Sequence, residues 1–141
     1  MWSHSLKAKH VMIAAGAVIR HTFTVNENVY AGFKSIFKDE NLLHTDVAFA
    51  TSKGFRGRVM HGNILNGFLS YFVGELLPLK NVIIQSQTIH FVKPVYLNDE
   101  VTLEAKVVEF FESVASAELK YRFTNQTSEL VAKGVIQIGI I

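Results

Sequence analysis

The sequence predicts an α+β domain in which an antiparallel sheet wraps one apolar helix. Two observations carry that expectation. Between Gly62 and Leu77, the residues Ile64, Leu65, Phe68, Leu69, Phe72, Val73 and Leu76 cover most of a helix's circumference, and a helix this apolar must be enclosed by other structure. Downstream, Val101, Leu103, Ala105 and Val107 alternate with Thr102, Glu104 and Lys106, and Ala115, Ala117, Leu119, Tyr121 and Phe123 alternate with Ser116, Glu118, Lys120 and Arg122, the period-two signature of half-buried strands. No repeat, low-complexity tract or proline-rich linker divides the 141 residues, so the expectation is a single domain over 1–141. Residues 1–10 are read as a polar, flexible leader carrying His4 and His10 as surface residues.

The elements follow in order. Lys7 and Lys9 precede the apolar run Val11 to Ile19 and imitate a short secretory signal. The run is shorter than the roughly 20 residues a bilayer span needs. It passes into the alternation Arg20-His21-Thr22-Phe23-Thr24-Val25, so the region is read as an opening strand. Asn26 is a cap for a first helix, with Glu27 in its first turn favouring the positive end of the dipole. Tyr30, Phe33 and Phe37 recur at helical spacing and are read as core packing. Pro78 stops the second, apolar helix. Val82 to Val92 is β-branched and apolar, and His90 within it is read as a satisfied core or lining residue. Leu97-Asn98-Asp99-Glu100 is a turn with Asn98 suited to a left-handed conformation, Asn125-Gln126-Thr127-Ser128 joins two strands as a hairpin, and Leu130 to Ile141 closes the series.

Composition narrows the function classes. With 49% hydrophobic and 18% charged residues the chain is neither disordered nor dominated by charge, and the apolar surplus suggests a face covered in an oligomer. The net charge is +2 and the basic residues are scattered, which gives no support for nucleic-acid binding. The absence of cysteine excludes disulfides, thiolate metal sites and a cysteine nucleophile, and fits a reducing, cytoplasmic compartment.

The chemistry-bearing residues cluster in two short stretches. Asp39-Glu40-Asn41-Leu42-Leu43-His44-Thr45-Asp46 puts a carboxylate, an amide and an imidazole in one loop, and Gly57-Arg58-Val59-Met60-His61-Gly62 opens the apolar helix with a glycine. Acid/base work on a carbonyl compound needs these groups close together. Asp46 is read as capping the turn before Val47-Ala48-Phe49-Ala50, and His61 as a hydrogen-bonding residue that shapes the second loop. His44, Asp46 and His61 are donor types for zinc or iron, but neither ligand pair has a metal-binding spacing; no metal and no cofactor is expected. Arg56, Arg58 and Lys53 form a basic loop that either meets substrate phosphates or is simply solvated.

In order along the chain, Asp39-x-Asn41-x-Leu43-His44-x-Asp46, Gly57-Arg58-Val59-x-His61-Gly62 and Phe91-Val92-Lys93-Pro94-Val95 with Asp99 shortly after resemble the MaoC-like R-specific enoyl-CoA hydratase and 3-hydroxyacyl dehydratase family. The resemblance implies a hotdog fold, a curved antiparallel sheet around a central helix, and a homodimer with acyl channels near the subunit interface. It implies reversible hydration of a 2-enoyl thioester of coenzyme A or acyl carrier protein. Asp39 and His44 correspond to the water-gripping dyad, and Gly62 to the position whose backbone N–H stabilises charge on the thioester carbonyl. Asn41 matches a loop residue expected to orient the dyad or the water, and Arg58 and His61 are assigned to the substrate side. Lys38 and Leu42 depart from the pattern, standing where the family has a glycine and a proline. Two alternatives remain on the same scaffold, an acyl thioesterase and a non-catalytic acyl-binding partner.

Overall fold

In the computed structural model, which describes residues 14–141, one five-stranded antiparallel sheet carries the core. The alternation in the sequence explains which face each strand buries. Strand β1 (Val18–Thr24) leads into helix α1 (Glu27–Phe37), capped as expected by the Asn26 side chain, which accepts a hydrogen bond from the Val29 N–H. Two short helices follow, α2 (Leu42–Thr45) and α3 (Val47–Ser52), and then the apolar helix α4 (Asn63–Tyr71). Strands β2 (Val82–Phe91), β3 (Glu100–Phe111), β4 (Ser116–Thr124) and β5 (Leu130–Ile140) complete the chain.

The strand order is β1-β3-β4-β5-β2, which leaves β1 and β2 as the sheet edges. Leu103, Ala105 and Val107 of β3 pair across with Phe123, Tyr121 and Leu119 of β4, Val101 pairs with Phe23 of β1, and the same face meets Ile64, Leu65, Leu69, Phe72 and Val73 in one cluster. A bulge between Val107 and Glu109 shifts the β3 register, so that Val108 faces out and Phe110 packs on the core. Asn98 and Ser128 take positive φ in the turns that the sequence marks, and Asn125 organises the β4–β5 hairpin by accepting the N–H groups of Thr127 and Glu129.

Some expectations are corrected. Phe37 is 66% exposed and not core: it ends α1, its ring beside that of Phe33, where the helix has passed the edge of the packed face. His90 is also exposed, because it points to the outer face of edge strand β2, opposite Lys133. The second helix does not run regularly to Leu77. It widens at Phe72–Leu76 into a π-turn closed by Leu77 N–H donating to Phe72 O, just before Pro78. The leader and Val11 to Ile13 lie outside the described residues; Ala14 to Ala17, read as part of the opening strand, instead form a turn with Gly16 at φ 91° and the Ala17 N–H donating to the Ala14 carbonyl, so β1 begins only at Val18. No described helix is long and apolar enough to cross a membrane.

Candidate functional site

The segment between α1 and α4 is read from sequence as loops, but it folds as two capped helical turns. Asn41 opens α2 by accepting the Leu43 N–H through Oδ1 at 2.9 Å, and Asp46 opens α3 by accepting the Phe49 N–H at 3.0 Å, the capping role expected of it. Ahead of them Lys38 sits at φ 58°, ψ 26° as the residue that ends α1, a left-handed conformation that a Cβ disfavours. The backbone thus keeps the shape glycine would favour, with lysine in its place.

These caps turn Asp39 and His44 toward each other. Asp39 Oδ1 accepts the Asn41 N–H at 3.1 Å, which fixes the carboxylate and leaves Oδ2 facing His44 Nε2 at 3.9 Å. His44 Nδ1 lies 2.7 Å from the Val59 carbonyl oxygen. A carbonyl oxygen only accepts, so Nδ1 carries a proton, and in that tautomer the Nε2 lone pair is turned toward Asp39. The space between Oδ2 and Nε2 suits one bridging water. Tyr30, on the buried face of α1, donates its hydroxyl to the His44 carbonyl at 2.8 Å, which ties the loop to the core.

His61 supports the same pair from below. It is buried, its Nε2 lies 2.8 Å from the Asp39 carbonyl oxygen, and its ring centroid is 4.0 Å from that of His44. Nε2 is therefore the protonated nitrogen, and Nδ1 is left buried without a partner among the described residues. Asp39, His44 and His61 form a grouping of donor types with ligand atoms within 4.8 Å of one another, a different trio from the one weighed on sequence, which had Asp46 in place of Asp39. The 3.9 Å between Asp39 Oδ2 and His44 Nε2 exceeds the roughly 3.4 Å edge of a tetrahedral zinc site with bonds of about 2.1 Å, so the pair would have to close up to share an ion.

A cleft of about 430 Å³ opens over this group. Asp39, His44, His61, Gly62 and Asn63 form its polar end; Val25, Phe33, Met60, Leu65 and Phe91 contribute apolar walls. Gly62 caps α4 with no side-chain hydrogen bond, and neither its N–H nor that of Asn63 has a partner among the described residues, so the positive end of α4 lies bare at the cleft.

Asn41 and Arg58 are not part of this wall. The Asn41 side chain is occupied as a cap, and the Arg58 guanidinium lies over the Tyr30 ring at 4.9 Å and reaches its hydroxyl at 3.4 Å. Arg56 stacks on Tyr96 at 4.1 Å and approaches buried Asp99 at 3.5 Å; Asp99 also accepts the Tyr96 N–H, which builds the turn before β3. Sequence reasoning placed Tyr30 in the core and Phe91 in the family motif without giving either a place at the site, and it missed the Val59 carbonyl. A buried tyrosine requires a partner for its hydroxyl, which is a signal for the first; nothing in the sequence marks the carbonyl.

A profile of the MaoC-like domain matches residues 11–129. The chain is 36% identical over 104 residues to an (R)-specific enoyl-CoA hydratase of Aeromonas caviae, spanning 74% of this chain and 78% of that one. It is 28% identical over 139 residues to a mitochondrial 3-hydroxyacyl-[acyl-carrier-protein] dehydratase of Arabidopsis thaliana, spanning 99% and 79%. Among solved structures, the A. caviae (R)-hydratase involved in PHA biosynthesis superposes with TM-score 0.83 at 31% identity, covering 90% of this chain and 96% of that one. An unliganded R-hydratase from Pseudomonas aeruginosa superposes with TM-score 0.84 at 26% identity, covering 93% and 84%. The sheet and its buried helix are therefore a hotdog fold.

Proposed function

This chain belongs to the MaoC-like family and is a hydro-lyase, and we propose that its reaction is the reversible addition of water to a 2-enoyl thioester, giving an R-3-hydroxyacyl thioester. The observation that carries the reading is the facing of Asp39 Oδ2 and His44 Nε2 across 3.9 Å in an apolar-walled cleft. A water between them gives one proton to the pair as its oxygen attacks C3, and the pair returns a proton to C2, so hydration needs no outside acid. Charge that gathers on the thioester oxygen is met by the unbonded N–H at Gly62 and the positive end of α4. His61 acts on the Asp39 backbone as a positioning residue, and Asn41 acts through the caps that set the loop.

The carrier is coenzyme A or acyl carrier protein, as the names of both kinds of relative suggest. Its phosphates would find Lys53 and Arg56 on the same basic loop, whereas Arg58 supports the site through Tyr30. The working unit in this proposal is a cytoplasmic homodimer of single domains joined through β2, an open edge that exposes Ile83. Sedimentation should find a dimer, and its interface should bury more than about 1,000 Å². A stable, fully active monomer at micromolar concentration would refute that part alone.

A panel of enoyl thioesters of increasing length tests the reaction. Loss of absorbance from the conjugated double bond without thiol release is the expected result. Thiol release would favour the thioesterase reading, and neither signal would favour an acyl-binding partner.

A further inference from the structure

The contact between Phe91 and Gly62 is not explained by folding. Phe91 is the last residue of edge strand β2 and is 50% exposed, so its ring contributes little to the core. Yet its edge lies on the first residue of the central helix: a Cβ built on Gly62 would stand 2.8 Å from Phe91 Cε1, 3.0 Å from Cζ and 3.2 Å from Cδ1. The ring therefore occupies the side of Gly62 that a side chain would take, beside the unbonded N–H, and it is part of the same cleft wall as Asp39 and His44. A side chain at 62 would have to displace the ring.

We infer that Phe91 is a specificity-determining residue, the wall of a narrow slot at Gly62 that admits thioesters unbranched at C2 and rejects those carrying a C2 methyl. The inference rests on the proposed role of the Gly62 N–H toward the thioester oxygen. With that oxygen about 2.9 Å from the amide nitrogen, C2 is only two bonds away from it, against the ring. A C2 that carries only hydrogens fits beside the ring edge. An added methyl has to overlap the ring or push it off Gly62. Because Phe91 sits at an exposed strand end, replacing it opens the slot without opening the core.

The test separates this from the chemistry by using saturated thioesters, which have no C2=C3 bond and cannot be hydrated. Calorimetric titration of the wild-type protein with butanoyl-CoA and 2-methylpropanoyl-CoA should give at least tenfold tighter binding of the unbranched ligand, the usual scale for one methyl in a fitted site. Phe91→Ala and Phe91→Leu should each reduce that ratio below about threefold, with melting temperatures near wild type and the gain on the branched ligand. Gly62→Ala should weaken both ligands, and Gly62→Ala/Phe91→Ala should recover part of that loss. Equal binding of the two ligands by wild type, an undiminished ratio in both Phe91 variants, or no binding of either ligand to wild type would overturn the inference. In parallel, wild type and Phe91→Ala are assayed for hydration of but-2-enoyl-CoA. Failure to hydrate with the binding ratio intact would count against the reaction and leave the slot standing.

Discussion

The β3–β4–β5 sheet and the α1–α4 connection hold their shapes in opposite ways. In the sheet, each residue's position is fixed many times over, by continuous antiparallel ladders and by side chains buried on one face. In the connection, position rests on single links: the Asn41 and Asp46 caps, Tyr30 to the His44 carbonyl, His44 to the Val59 carbonyl, and His61 to the Asp39 carbonyl. The sheet supplies stability, while the connection supplies directed lone pairs and half-exposed polar groups that a ladder would have consumed. Substitutions should therefore separate cleanly into those that damage folding and those that damage chemistry.

The sharpest way to test that separation is at the dyad. Asp39→Asn and His44→Ala should each lower turnover by about two orders of magnitude or more, the share a positioned acid or base supplies, and Asp39→Asn should melt close to wild type. Asp39 is half-exposed and its removal leaves no core cavity. A folded variant with near wild-type hydration would end the dyad assignment. The mirror experiment is Gly134→Ala in β5. A Cβ there would overlap the Thr88 carbonyl oxygen and the Tyr121 hydroxyl, which donates to that same carbonyl at 2.6 Å between β4 and β2. Burial pushes the Tyr121 hydroxyl up to about 12, and this contact is central to the joint. Denaturant titration should show a loss of about 3 kcal/mol, on the scale of overpacking. The protein that remains folded should keep its specific activity.

The sequence-derived outline was good where periodicity or capping carries the signal. Four of the five strands are legible from alternation or β-branched runs and β5 only as the stretch that closes the series, and the Asn26 and Asp46 caps from residue type, because these depend on neighbours in the chain. It failed where neighbours in space decide. His90 has the same local sequence whether β2 is central or an edge, and Phe37 keeps its helical spacing beyond the point where the packed face ends. Within the cleft, Asp39, His44 and Gly62 were legible only as a joint motif. The tautomer of His44 depends on the carbonyl of Val59, fifteen residues away, and the slot wall Phe91 on a strand that returns to Gly62 from the far side of the sequence.

Two smaller changes would make the connection more like the sheet. Lys38→Gly places the residue that tolerates φ 58° at the end of α1 and should stabilise by about 1 kcal/mol. Leu42→Pro should add about 0.5 kcal/mol: the first residue of α2 has no intrahelical use for its N–H, and Asn41 at φ −50°, ψ 136° already has the extended backbone that proline requires before it. Thermal melts should rise by about 3 °C per kcal/mol. A fall in either melt would mean that the native backbone departs from these angles. Turnover should stay within about threefold of wild type, since neither change touches a link to the dyad.

The smallest effect should come from an ion pair outside the connection, between the cleft wall and the sheet's last hairpin. Lys93, on the cleft wall after β2, pairs with Glu129 at the end of the β4–β5 turn. Hydrogen bonding from Lys93, then from Asn125 and Thr127, holds the Glu129 carboxyl down at about 2 from an ordinary value of 4.5. A carboxylate depressed in the folded state stabilises above its unfolded value and loses that contribution on protonation, so its share is present above pH 4.5 and disappears as the pH falls toward 2. Both partners are about half exposed, so salt should screen much of the effect. Melting temperature followed from pH 5 to pH 2 at low ionic strength should fall less steeply in Glu129→Gln than in wild type, and the two curves should converge in high salt. Parallel curves at low salt would show that the pair is formed without contributing to stability. If the curves differ, hydration assayed above pH 5 decides whether the link matters to the site: Glu129→Gln should leave it within about twofold, because the dyad is positioned by the caps and carbonyls of the connection and not by the hairpin.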